Sequence, residues 1–312
     1  MMQNLASASM TPTSSSEEAV ELWDDDLALL LGDADDSAYK SSPKTIRAAL
    51  DEPASTVKVV ECADISPEEF ASRHRHREPL LLRGFARHWP AIAQWKVVAS
   101  LAASAAGGED VRVLSSANNR RFLSADCEQS VRPLSAVIDA VFGTEAQRIY
   151  ARAPLRGGLR DGVDLRVLEE LMGGVSPKES CCSVWIGPPG NITPFHYDLC
   201  HGWLIGVRGV KTFTLVHPDE HRCMYSGHNE RPELSKIDYE AWRAGDEQER
   251  SRHPKFAHAV RRTVEVHEGD ALYTPPFHWH HVETSASDGP AVSVLVPFDP
   301  RPDEPVHVSH LR

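Results

Sequence analysis

The sequence predicts a mainly β protein, a sandwich or closed barrel with helices ahead of it, and three observations carry this. After residue 181 the chain divides into the short segments CCSVWIG, FHYDLCHGWLIGVRG, KTFTLVHP, RTVEVHEGD, ALYTPP, WHHVETS and AVSVLVPF, punctuated by Gly, Pro, Asn and Asp. Many short strands with close turn signals describe an all-β architecture. Before them stand helix signals: Ser66-Pro67-Glu68-Glu69 offers a capping serine with proline in the first turn, and DLRVLEELMGG reads as a helix stopped by glycines. Finally, there is no internal repeat, no G-x-G-x-x-G and no P-loop, which removes the usual nucleotide-binding folds.

Each region follows from its composition. The 312 residues, 41% apolar and 25% charged, suit one large domain or two modest ones. Residues 1–55 are rich in Ser, Thr, Ala, Asp and Glu and poor in aromatics, so they read as a disordered acidic tail. Within it, Val20, Trp23, Leu27 and Leu30 form an amphipathic helical stripe at 17–31, fit either to dock on its own domain or to meet a partner. Residues 56–312 form the folded domain. TVKVVECADI is a strand, EPLLLRGF a short buried strand, GEDVRVLSS and RRFLSA a strand pair, and RHRHR at 73–77 a solvated helix face. The segment 217–262 is a long polar insertion, either a recognition element or a solvated loop.

Composition also limits partners. A net charge of −12 argues against a dedicated nucleic-acid binder, which needs clustered Lys and Arg. No apolar run approaches the roughly 20 residues of a membrane helix, and the N-terminus has no basic segment followed by an apolar one. Six cysteines without a C-x-x-C pair fit reduced thiols in a cytoplasmic protein.

The chemistry concentrates in two places. His196 and Asp198 flank Tyr197 in an extended stretch, so period-two alternation aims both at one face, where they could grip one metal ion. A second cluster supplies His278, His280 and His281. Strands distant in sequence face each other across a barrel, so one of these would complete two histidines and a carboxylate. That set suits a non-haem Fe(II) oxygenase, with zinc or a buried histidine network as the blander readings. Alternation puts His278 and His280 on one face and Trp279 and His281 on the other; it does not choose between the first two, and a bulge in the strand would admit His281. Lys211, just past the Gly209 turn, would return beside the metal face, where a buried lysine calls for an anion. Thr193 and Tyr150 are further candidate donors, as against a turn residue and a core tyrosine. Trp185, Tyr197, Trp203 and Trp279 are candidates for pocket wall or core.

Together, SVWIGPPGNITPFHYD…GVRGVK, EGDALYTPPFHWHHVETS and the upstream EPLLLRGFARHWPAIAQW resemble the JmjC, or cupin-like, family of Fe(II)/2-oxoglutarate oxygenases, over roughly residues 56–299. The H-Y-D triplet is most similar to the small hydroxylase branch typified by the hypoxia-pathway asparaginyl hydroxylase. The resemblance implies a double-stranded β-helix (jelly-roll) core with flanking helices. It implies Fe(II) held by His196, Asp198 and His280, the last selected because it follows Trp279. It further implies 2-oxoglutarate bound through its far carboxylate by Lys211 with Thr193 and Tyr150, and O2 as cosubstrate. Gly202 and Pro297 stand where many relatives carry Asn, which puts the detailed cosubstrate contacts in doubt. Relatives that dimerise through a C-terminal helical bundle have more chain after the last strand, so a monomer or a different dimer is expected. The implied reaction is hydroxylation of a protein or peptide side chain. A small-metabolite substrate, a demethylase and an inactive metal-binding interaction module are the alternatives.

Overall fold

A computed structural model describes residues 56–301, apart from 106–108, 121, 124–126, 144–147 and 228–230, together with Glu304. The tail at 1–55 and its helical stripe lie outside the described residues.

Thirteen strands among the described residues build two sheets. They are β1 (Lys58–Glu61), β2 (Leu80–Arg83), β3 (Asp110–Ser115), β4 (Glu128–Pro133), β5 (Ile149–Pro154), β6 (Ser183–Gly187), β7 (Ile192–His196), β8 (His201–Arg208), β9 (Lys211–Val216), β10 (Arg262–Val266), β11 (Ala271–Thr274), β12 (Trp279–Thr284) and β13 (Ala291–Phe298). The larger sheet runs β1-β2-β11-β8-β13-β6-β5-β3-β4 and the smaller β10-β9-β12-β7. Strands β6 to β13 alternate between the two sheets, except that the consecutive β9 and β10 pair within the smaller one, in the manner of a jelly roll, the fold of the cupins. The pairing is antiparallel except for β1 with β2.

Side-chain alternation sorts the core into layers. On β8, Trp203, Ile205 and Val207 face the helical side with Phe70, Leu101, Val137 and Leu168, while Leu204 turns between the sheets toward Leu81, Phe213 and Val282. The helix Pro67–Arg73 is capped by Ser66, whose side chain accepts from the Glu69 N–H, and it buries Phe70. DLRVLEELMGG is helical over Arg166–Leu171 and ends before Gly173 and Gly174, both at positive φ.

Five expectations change. RRFLSA is not a strand where described: Phe122 and Leu123 form a turn, and the partner of β3 is β4. The stretch around FHYDLCHGW is two strands, because β7 ends at His196 and β8 begins at His201. RHRHR is not a solvated face. His74 and Arg75 are buried, the Arg75 guanidinium donates to the Met172 carbonyl and to Glu304, and His76 sits at φ 62° against Glu304. Trp203 is core and not pocket wall, packed on Phe70 and Tyr273 at ring separations of 5.4 and 5.1 Å. Trp279 likewise turns away from the cavity and packs on Tyr197 and His221.

Between β9 and β10, the described parts of 217–262 form short helices, and Met224, Ile237, Tyr239 and Phe256 close over Phe195 and Trp279 as a second core on the outer face of the small sheet.

Trp203→Ala is expected to cost about 3–5 kcal/mol of folding stability, as for a fully buried large aromatic. Its ring lies on the opposite face of β8 from Gly202 and Leu204, which line the cavity, so metal affinity in the folded variant should match wild type. Urea denaturation alongside Co(II) titration checks both.

Candidate metal and cosubstrate site

Strands β7 and β12 pair so that His196 and His280 are direct cross-strand partners, and a register shift follows between His280 and Val282. Their rings lie 4.0 Å apart. Asp198 has left the strand but is held close, its carbonyl accepting from the Phe277 N–H at 2.7 Å, and a carboxylate oxygen lies 3.9 Å from His280 Nε2. One ligand atom from each of His196, Asp198 and His280 falls within 4.8 Å of the others.

The tautomers follow from the neighbours. His196 Nδ1 lies 2.8 Å from the Pro194 carbonyl, and His280 Nδ1 lies 3.0 Å from the His278 carbonyl. A carbonyl only accepts, so each Nδ1 carries a proton, and in the neutral ring it is Nε2 that keeps the lone pair. Burial, and then the neighbouring His280, hold the His196 imidazole well below the usual histidine range. Two imidazoles and one carboxylate with converging donor atoms are the donor set of a divalent transition metal with open positions. His76, His201 and Glu304 form another such group among the described residues, and Glu240, His281 and Glu283 a third. In those two an arginine already engages a carboxylate, Arg75 on Glu304 and Arg243 on Glu283. His278, the competing candidate, faces His217 instead, and His281 meets Glu240 on the outer side.

Lys211 opens β9 and is 4% exposed. Its ammonium donates to Tyr150 Oη at 3.0 Å and to Ser293 Oγ at 2.8 Å. Burial pushes its pKa down to about 7. Both partners are neutral, so an arriving anion would stabilise the charged form. Burial also raises the Tyr150 phenol well above its usual range, opposed by a hydrogen bond with Thr193.

A cavity of about 110 Å³ is lined by Tyr150, Thr193, His196, Asp198 and His280, with Trp185 and Tyr197 in its wall; Lys211 stands behind Tyr150 and meets the cavity through that residue. Gly202 and Pro297, the departures from the family pattern, are cross-strand partners on β8 and β13 and both line it. A Cβ at 202 would meet only the Thr274 carbonyl, at 3.9 Å, so there is room where a side chain is missing.

Sequence reasoning missed Ser293, though a serine inside the apolar run AVSVLVPF was a usable signal. It also missed Arg152, Leu123, Leu295 and the trio Arg231, Glu233 and Leu234, which line the same cavity from distant segments.

Fold and site define a cupin-type protein with a two-histidine, one-carboxylate cluster. The model of the cupin-like domain family matches residues 66–304, and the chain belongs to that family, the JmjC/cupin-like Fe(II)/2-oxoglutarate oxygenases. It is 25% identical to the Jumonji C domain-containing protein 5 of Drosophila melanogaster over 248 residues, covering 73% of this chain and 57% of that one. It is 26% identical to the lysine-specific demethylase JMJ30 of Arabidopsis thaliana over 215 residues (66% and 47%). It is 23% identical to the tRNA wybutosine-synthesizing protein 5 of Mus musculus over 249 residues (74% and 75%). The chain spans about half the length of the first two. Among the described residues no helix is long and apolar enough to cross a membrane.

Proposed function

We propose that the protein is an Fe(II)- and 2-oxoglutarate-dependent dioxygenase that hydroxylates an unactivated C–H bond on a protein or peptide side chain. The observation that carries this reading is one cavity holding the His196, Asp198 and His280 donors beside a buried lysine whose described partners are neutral. His196 and His280 would bind iron through Nε2 and Asp198 through a carboxylate oxygen. When bound, Fe(II) with 2-oxoglutarate supplies O2 activation, so that one O2 converts 2-oxoglutarate and R–H into succinate, CO2 and R–OH.

The chain's own groups bind and orient. Lys211 supplies the positive charge for the far carboxylate of 2-oxoglutarate, with Tyr150 and Thr193 fixing its register. The apolar walls from Trp185, Leu204 and Phe213 exclude water, which strengthens each of these contacts. A protein substrate is favoured over a small metabolite because the insertion brings Arg231, Glu233 and Leu234 to the cavity.

Anaerobic addition of Fe(II) and 2-oxoglutarate should give a weak visible charge-transfer band, and air should then release succinate. A substrate gaining 16 mass units indicates hydroxylation; formaldehyde release indicates demethylation. Neither band nor succinate would leave a metal-binding module without oxygenase activity.

A further inference from the structure

Residues 231–235 act as an added edge on the small sheet, beside the strand that ends in His196. His196 and Leu234 form an antiparallel bridge, the Tyr197 N–H donates to the Glu233 carbonyl at 3.1 Å, and the Ser235 N–H donates to the Phe195 carbonyl at 2.9 Å. This backbone pairing seats the Glu233 side chain in the wall of the metal cavity, where the residue is 4% exposed.

The two carboxylate oxygens of Glu233 differ. Oε1 accepts from Arg231 Nε, whereas Oε2 is fully buried and receives no donor from the described residues. Arginine–carboxylate pairs are frequently bidentate, as Arg243 is with Glu283 at 2.8 and 3.0 Å, whereas Arg231 engages one oxygen of Glu233 and leaves the other to the cavity side. A buried carboxylate oxygen without a donor is costly, and its place in the cavity wall leaves this one open to a donor on a bound molecule. The cavity that Glu233 lines also has apolar wall from Leu123, Trp185, Leu234, Leu295 and Pro297. Arg152, the other cation in the wall, already donates to the Cys181 carbonyl at 3.1 Å.

We propose that Glu233 reads the substrate: its Oε2 accepts a hydrogen bond from the nitrogen end of a peptide side chain, a carboxamide, guanidinium or ammonium, whose aliphatic stem lies along the apolar wall. Hydrogen-bonding sites of this kind reject analogues lacking the donor far more strongly than apolar pockets reject size variants. The proposal rests on the oxygenase reading for the identity of the cavity, but its test does not depend on turnover.

The probes are Nα-acetyl amino acid N-methylamides of glutamine, arginine, lysine, norleucine and glutamate. Their binding to the full chain with Zn(II) and 2-oxoglutarate is measured by calorimetry, with Zn(II) and 2-oxoglutarate binding measured separately. At least one of the three N–H-bearing probes should bind about tenfold or more tighter than norleucine, with glutamate weakest. Preference for arginine and lysine would mean that charge is read, and preference for glutamine that the hydrogen bond alone suffices; both support the proposal. Glu233→Met should erase the preference while keeping Zn(II) and 2-oxoglutarate affinity, and Glu233→Gln, which keeps one acceptor oxygen, controls for folding through its thermal midpoint. Norleucine or glutamate binding as well as the N–H probes, a preference surviving Glu233→Met, or no binding of any probe would overturn it. Failure of wild type to bind Zn(II) or 2-oxoglutarate would instead sink the oxygenase reading, and the probe series on the metal-free chain would still decide the role of Glu233.

Discussion

Lys211→Met is expected to raise the dissociation constant for 2-oxoglutarate by at least about a hundredfold, while metal affinity stays near wild type. Removing one member of a buried, hydrogen-bonded charge pair typically costs about 2–5 kcal/mol, and a hundredfold corresponds to about 2.7 kcal/mol. Methionine matches the lysine stem and removes only the ammonium that Tyr150 and Ser293 steady. The pH dependence is a sharper test. Burial holds the free lysine at about 7, and a bound carboxylate favours its charged form, so the pKa rises on binding. Below about pH 7 the lysine is charged before and after, and affinity is flat. Above it, binding must take up a proton, so affinity falls as pH rises, approaching about tenfold per unit until the bound-state pKa is reached. Calorimetry at pH 6.5, 7.5 and 8.5, in buffers of different ionisation enthalpy, should show this proton uptake in wild type and none in Lys211→Met. A pH-independent wild-type affinity would remove Lys211 from the cosubstrate site.

What the sequence disclosed, and what it did not, follows from which interactions are local. The strands after 181 were legible because apolar runs are bounded by turn residues, as where Gly209 at φ 72° sets β8 against β9. β4 was not legible because EQSVRP is an edge strand, polar and largely exposed, whose pairing is supplied by β3. Phe122 and Leu123 misled for the opposite reason: their apolar character serves a turn that packs on Tyr150, with Leu123 at φ 77°. Parity could have removed Trp279 from the pocket wall, since the alternation that turns His280 inward turns its neighbour outward. The contrast between Ser293 and Glu233 is instructive. Ser293 was missed although its apolar neighbours mark it, whereas Glu233 lies in a polar insertion where nothing local marks a buried acid. Only the pairing of 231–235 with β7 brings it to the cavity.

His196→Ala, Asp198→Ala and His280→Ala should each weaken Co(II) or Fe(II) binding by at least about a hundredfold, because a three-donor set reduced to two loses a bond and not merely a contact. The two imidazoles are preorganised in the same way, each Nδ1–H held by the carbonyl two residues earlier in the chain. Such carbonyls fix the tautomer and the ring plane before metal arrives. Asp198 contributes the set's negative charge, so Asp198→Asn, which keeps shape and loses charge, should fall closer to Asp198→Ala than to wild type. Proton competition sharpens the expectation. Because burial and His280 hold His196 well below the usual range, protonation of His196 should not compete with metal between pH 7.5 and pH 6. Folding should persist in all the variants, since the core clusters between and outside the sheets are built from other side chains. Cobalt absorbance titrations at pH 6.0 and 7.5, with far-ultraviolet circular dichroism on each variant, separate loss of ligand from loss of fold. Retained Co(II) affinity in a well-folded His196→Ala would mean that the converging lone pairs on β7 and β12 are a buried histidine contact, and the oxygenase reading would fail with them.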